Sequence, residues 1–213
     1  MELDRRTTLQ WMLAASAALG AEVSGGATPA PRADKSNNGG EGYGTDPKLT
    51  QTYRSGDTWP LTFTAAQRRT AQALCGLIIP ADEHSPGAAQ LQVHLFIDEW
   101  VSAPYPTQRK DRPVILNGLT WLEAESARRF DGRRFDQLSV AQQSRIADDI
   151  CWVEKAQPDF IDAARFFARF RDLTAGGFYT TPEGSRDIGY VGNVPSATFD
   201  GPPLQVLKIV GVS

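Results

Sequence analysis

The chain has 213 residues, 41% of them hydrophobic, and 22 Lys and Arg against 25 Asp and Glu give a formal net charge of -3. That length suits one globular domain with a real core, once an irregular N-terminal region is set aside. Charge this balanced, with arginine and glutamate scattered rather than blocked, gives no electrostatic reason to expect a nucleic-acid partner.

At the N-terminus, Arg5 and Arg6 stand directly before a short alanine-rich apolar run that ends near Ala21. The run is too short to span a bilayer. An arginine pair followed by Thr7, Thr8 and Leu9 resembles the twin-arginine export signal, whose weak hydrophobicity separates it from ordinary secretory signals. The departures are Leu9, one place late, and Gln10 where a basic residue is usual; Ala21-Glu-Val23 is only a rough cleavage site. The competing reading is an N-terminal helix with two surface arginines, and the position at the very start favours the signal. Residues 1–23 are therefore expected to be an export segment that directs the chain to the periplasm. Residues 24–60, rich in Gly, Ser, Asn and Pro, show no periodicity and are expected to form a flexible linker.

From 61 onward the punctuation is helical. Thr64-Ala-Ala-Gln67 is a capping-box pattern, after which Ala71, Leu74, Cys75 and Ile78 share a face until Pro80. Val93, Phe96, Ile97, Trp100 and Val101 predict a second helix before Pro104. A third is predicted from Asp111 as cap, with Pro113 in its first turn and Ile115, Leu119 and Leu122 on one side before Gly132. Ser139-Val-Ala-Gln142 opens a fourth, with Ile146, Ile150 and Val153 inward. A fifth runs from about Asp159 through Phe160, Ala164, Phe167 and Leu173 and closes at Gly176-Gly177. No strand pattern is present, so the predicted fold class is all-α: a helical domain over 61–213, an irregular bundle of about five helices with an irregular C-terminal strap, preceded by the long tether of 24–60.

Little in the chain points to chemistry. His84 and His94 lie in neither an HxxxH nor an HExxH arrangement. The sharpest cluster is Asp82-Glu83-His84, with Asp98 and Glu99 further on; its bland reading is a solvent-facing or capping loop. No GxSxG, P-loop or GxGxxG occurs, so no catalytic, cofactor-binding or metal residue is expected in this chain. Cys75 and Cys151 lack the spacing of a zinc or CxxC site; a disulfide and two separate buried thiols both remain open.

The segment Gly176 to Pro195, with Phe199 beyond it, sets aromatic residues between glycines and prolines. Such side chains must lie against something, either as a strap over the bundle end or as a docking surface. Phe178, Tyr179, Pro182, Arg186, Tyr190, Asn193 and Phe199 are the expected interface residues, and Thr181 can cap a short helical turn.

Several of these blocks resemble the gluconate 2-dehydrogenase subunit 3 family. They are Leu61-Thr-Phe-Thr-Ala-Ala-Gln67, Ala73 to Asp82 with Ser85-Pro-Gly-Ala88, Phe96-Ile-Asp-Glu-Trp100, and Phe167 to Gly184 with Gly189-Tyr-Val-Gly-Asn193. The likeness covers roughly Thr50 to Leu207, and its last block is the most specific. It implies a small, non-catalytic gamma subunit in a heterotrimer. A flavin subunit of the glucose-methanol-choline type carries FAD and oxidises the sugar; a multihaem c-type cytochrome, carrying haem c, takes the electrons. The small subunit supplies the export signal, matched here by Arg5 and Arg6, and stabilises the flavin subunit; membrane association would come only through the complex. The Asp187-to-Asn193 ending looks most like subunits that accompany glucoside 3-dehydrogenases. One departure is Ser185, where many relatives carry Trp. The alternatives are an autonomous periplasmic enzyme, which would turn over a substrate alone, and a sugar-binding module, which would show sugar affinity without a partner.

Overall fold

The computed structural model describes residues 48, 51–190, 192 and 201–211. Among them are seven α-helices and three 3₁₀ turns, with no strand, so the fold is all-α as predicted. The helices are α1 (Ala65–Ile78), α2 (Val93–Ser102), α3 (Pro106–Arg129), α4 (Val140–Ile150), α5 (Ile161–Tyr179), α6 (Pro182–Asp187) and α7 (Leu204–Val210). The first five pack around one core that includes Leu74, Ile78, Ile97, Ile115, Leu119, Leu122, Ile146, Phe166, Phe167 and Phe170. Arg5 and Arg6, together with Asn193 and Phe199, lie outside the described residues.

Two helix starts form as their local sequence dictates. The Thr64 hydroxyl accepts from Gln67 N at 3.2 Å while Gln67 Oε1 accepts from Thr64 N at 2.9 Å. The Ser139 and Gln142 pair repeats this arrangement at the head of α4, at 3.4 and 3.0 Å. Each box satisfies two amides that the first helical turn would otherwise leave unpaired. Val153 falls outside α4, in the 3₁₀ turn Val153–Lys155, while still packing on the core.

Two boundaries differ from expectation, the first for a local reason and the second for a tertiary one. The third helix starts at Pro106 rather than after Asp111, because Pro106 occupies the first helical position, where a missing amide costs nothing. Pro113 is thus an interior residue. The carbonyl of Arg109, deprived of its helical donor, belongs to an exposed residue that solvent can reach. Asp111 is no cap: its Oδ2 accepts from Trp100 Nε1 at 2.8 Å and Arg169 Nη2 at 2.6 Å, joining α2, α3 and α5. Burial works to raise this carboxyl, and the hydrogen bonds from Arg169 and Trp100 outweigh it, leaving it below its ordinary range.

The fifth helix, expected to close at Gly176-Gly177, runs through both glycines to Tyr179. A Cβ on Gly177 would lie 2.7 Å from Phe96 Cδ1 and 2.8 Å from Val93 Cγ1. Its glycine therefore serves the close crossing of α5 over α2 rather than a helix end. Gly118 does the same in α3, where a Cβ would sit 1.9 Å from the Phe166 ring.

Cys75 and Cys151 are both free, so the bridge is not made. Cys75 is buried with Sγ 3.7 Å from Thr174 Oγ1, and the Cys151 thiol donates to Asp148 O at 3.4 Å. Each sulfur has its own neighbour in a different part of the bundle. Burial pushes the Cys75 thiol from 9.0 up to about 12, against the opposing hydrogen bond from Thr174. A thiol titrating higher folded than unfolded leaves stability intact below pH 9.0 and erodes it as pH rises towards 12, because only the unfolded chain ionises in that interval. In native protein, thiol labelling at pH 8 is expected to spare Cys75, and both cysteines should react once the chain is denatured. Stoichiometric labelling of Cys75 in the folded state would contradict its burial.

Candidate docking surface

The C-terminal end of α5 leads directly into the segment expected to meet a partner. Thr181 caps α6 by accepting from Gly184 N at 3.0 Å, as its position before Pro182 predicts. The Ser185 hydroxyl turns inward and donates to Tyr179 O at 3.1 Å. Arg186 bonds locally, donating to Pro182 O and Glu183 Oε1, both at 3.1 Å.

α6 then ends in a Schellman turn. Tyr190 N donates to Ser185 O at 2.9 Å, Gly189 N donates to Arg186 O at 3.0 Å, and Gly189 takes a φ of +66°. Such turns usually join an apolar residue just past the glycine to one at the position of Ser185. With serine there, Tyr190 has no such counterpart and is 62% exposed, beside Ile188 at 58%.

The expected interface residues therefore divide. Pro182, Arg186 and Tyr190 are exposed, and Tyr179 is half-buried. Phe178 is fully buried and belongs to the core, which corrects its assignment to the docking set. The physical reason is the continued helix: Phe167, Phe170, Thr174 and Phe178 follow the inward face of α5 at spacings of three and four. The Phe178 ring meets Tyr179 edge-on, with centroids 5.1 Å apart.

A second apolar feature was missed in the sequence. α7 buries none of its residues, and Leu204, Val206, Ile209 and Val210 are all exposed, Ile209 by 84%. Its Leu-Gln-Val-Leu-Lys-Ile-Val run is apolar nearly all round, which is the signal that could have found it.

The other chemical candidates have structural employment. Asp82 Oδ1 accepts from His84 N and Ser85 N, both at 2.9 Å, and so shapes its own loop. Glu83 and His84 form an exposed pair at 3.1 Å. Asp98 is buried and gathers Thr62 N at 3.0 Å, Phe63 N at 2.9 Å and Arg68 Nε at 3.0 Å. Glu99 receives Gly56 N on its carboxylate at 2.9 Å and Trp59 Nε1 on its carbonyl at 3.2 Å. Part of the segment read as linker is thus held against α2. Among the described residues no group of three or more His, Cys, Asp or Glu is placed to hold a metal ion, and no helix is long and apolar enough to cross a membrane.

The architecture is that of an all-α body with apolar side chains emerging at its C-terminal end. The family described as gluconate 2-dehydrogenase subunit 3 matches residues 65–198, and the chain belongs to it. This is a family of dehydrogenase-complex subunits. No curated protein and no solved structure matches the chain.

Proposed function

We propose that this chain is the small, non-catalytic subunit of a periplasmic FAD-dependent sugar or sugar-acid dehydrogenase complex. In this reading it binds and stabilises a flavin subunit of the glucose-methanol-choline type, and electrons leave through a multihaem c-type cytochrome. Arg5 and Arg6 supply the twin-arginine signal that carries the folded, FAD-loaded partner across the membrane. The observation that carries the reading is the subunit 3 family match over residues 65–198. Exposed Ile188 and Tyr190 support it, since aromatic and aliphatic side chains left in water at a rigid turn are suited to anchor a protein contact. The Asp187-to-Asn193 ending is the basis for the narrower reading, a complex of the glucoside 3-dehydrogenase type.

Co-expression of the full chain with a flavin subunit of the glucose-methanol-choline type from the same genome tests both halves of the proposal. A stable pair with dye-linked sugar oxidation is expected, and Arg5→Lys combined with Arg6→Lys should leave both proteins in the cytoplasm. Unaffected export of the flavoprotein in that double variant removes the escort role. A chain that stays monomeric and is indifferent to the flavoprotein in a pull-down removes the subunit role.

A further inference from the structure

A groove of about 520 Å³ runs between α3 and the first turns of α5, away from the C-terminal surface described above. Its size falls in the range of small-molecule sites rather than of packing defects. It exists because the two helices meet closely where Gly118 accepts the Phe166 ring, while Val114 and Trp121 stand up along the α3 side. The wall is mainly apolar, and Val114 is 38% exposed.

The polar groups in the groove are short of partners within the chain. Trp121 touches Phe160 through its ring, with centroids 5.6 Å apart at 73°, a contact that fixes the indole plane. Among the described residues, neither the Trp121 indole N–H nor the Asn117 amide has a hydrogen-bond partner. Asp162 and Arg165 complete the rim and pair with each other at 3.1 Å, so the rim carries no net charge.

We propose that this groove binds a neutral pyranose ring. One face of a pyranose is a patch of C–H groups that suits an indole, and its edge is a ring of hydroxyls that donate and accept. Asn117 offers both functions, the indole N–H and Arg165 donate, and Asp162 accepts, which is the complement that vicinal hydroxyls require. A carboxylate ligand would meet Asp162 on the same rim as Arg165, so the rim offers it no net attraction. A purely apolar ligand would cover the Asn117 amide and the indole N–H without pairing them. The proposal does not depend on the subunit reading, since this site is built from one chain; a subunit that also holds a sugar still pairs with the flavin subunit in a pull-down, whereas a free-standing sugar-binding module does not.

The test is titration of the full-length chain with methyl α-D-glucopyranoside, following the indole N–H resonances by heteronuclear NMR, with sodium gluconate as a contrast that has a negative charge and no pyranose ring. The Trp121 resonance, assigned by its loss in Trp121→Phe, is expected to shift saturably with the glucoside and far less with gluconate. Asn117→Ala, on an exposed helix face, should weaken the affinity about three- to tenfold, the worth of one hydrogen bond, and leave the urea midpoint unchanged. This second variant keeps the test decisive if Trp121→Phe misfolds. The proposal is overturned if the Trp121 resonance stays fixed at tens of millimolar glucoside, if gluconate moves it equally, or if Asn117→Ala binds as well as the parent. It is likewise overturned if only the added flavoprotein moves that resonance, which would make the groove a protein contact.

Discussion

Phe178→Ala is expected to destabilise the fold by about 3–5 kcal/mol, the cost of removing a fully buried aromatic ring from a packed interior. In a urea titration this appears as a lower midpoint at unchanged slope. The ring has no exposed surface and sits where α5 closes the core, so the surrounding backbone cannot collapse freely into the void. Tyr190→Ala, twelve positions on by the same numbering, should do the opposite on both counts. Its ring is mostly in solvent and its backbone turn is held by Gly189 and main-chain hydrogen bonds, so stability should change by no more than about 0.5 kcal/mol. If the proposed subunit role holds, association with the flavin subunit should instead weaken. The pair of variants separates two roles that one aromatic-rich sequence block cannot. Equal loss of stability in both would mean that Tyr190 is covered by its own chain, and a silent Phe178→Ala would refute its place in the core.

What could be read in advance was local. The capping boxes at Thr64 and Ser139 and the stop at Pro80 act within a single helical turn, and each formed where the sequence placed it. What could not be read was set by contacts distant along the chain. Gly177 resembles a helix terminator in isolation, and only the crossing with Phe96 and Val93 makes it an interior residue. Phe178 changed from interface to core as a direct consequence, because two more residues of helix carry the inward face past it. Asp111 had the look of a cap until Arg169, 58 residues away, claimed its carboxylate. The groove beside Trp121 had no sequence signature at all, since Asn117 and Trp121 come from one helix and Asp162 and Arg165 from another. The exposure of Pro182 and Arg186 was legible from their residue types, whereas that of Tyr190 follows from Ser185, which leaves the Schellman turn without an apolar counterpart.

The remaining large effect concerns the route by which the N-terminal region joins the body. Asp98→Ala is expected to cost about 2–4 kcal/mol, less than the sum of its hydrogen bonds implies. Thr62 N would keep a partner, because the Ser102 hydroxyl already accepts from it at 2.9 Å. Arg68 is 39% exposed and can turn to solvent, so its ion pair contributes modestly. Phe63 N is different: it is buried, and Asp98 Oδ1 at 2.9 Å is its acceptor. Losing that carboxylate orphans a main-chain donor at the point where the lead-in segment turns into α1. The damage should therefore be local as well as global. Protection of the Trp59 indole proton, which depends on docking against Glu99 O, is expected to fall more than protection of the α4 amides. Asp98→Asn keeps an oxygen for Phe63 N and should recover much of that protection, although its amide group would face Arg68. If instead both variants lose stability evenly across all helices while Trp59 stays protected, then Asp98 is an ordinary core-packing residue and the lead-in segment is held by Phe63 and Trp59 alone.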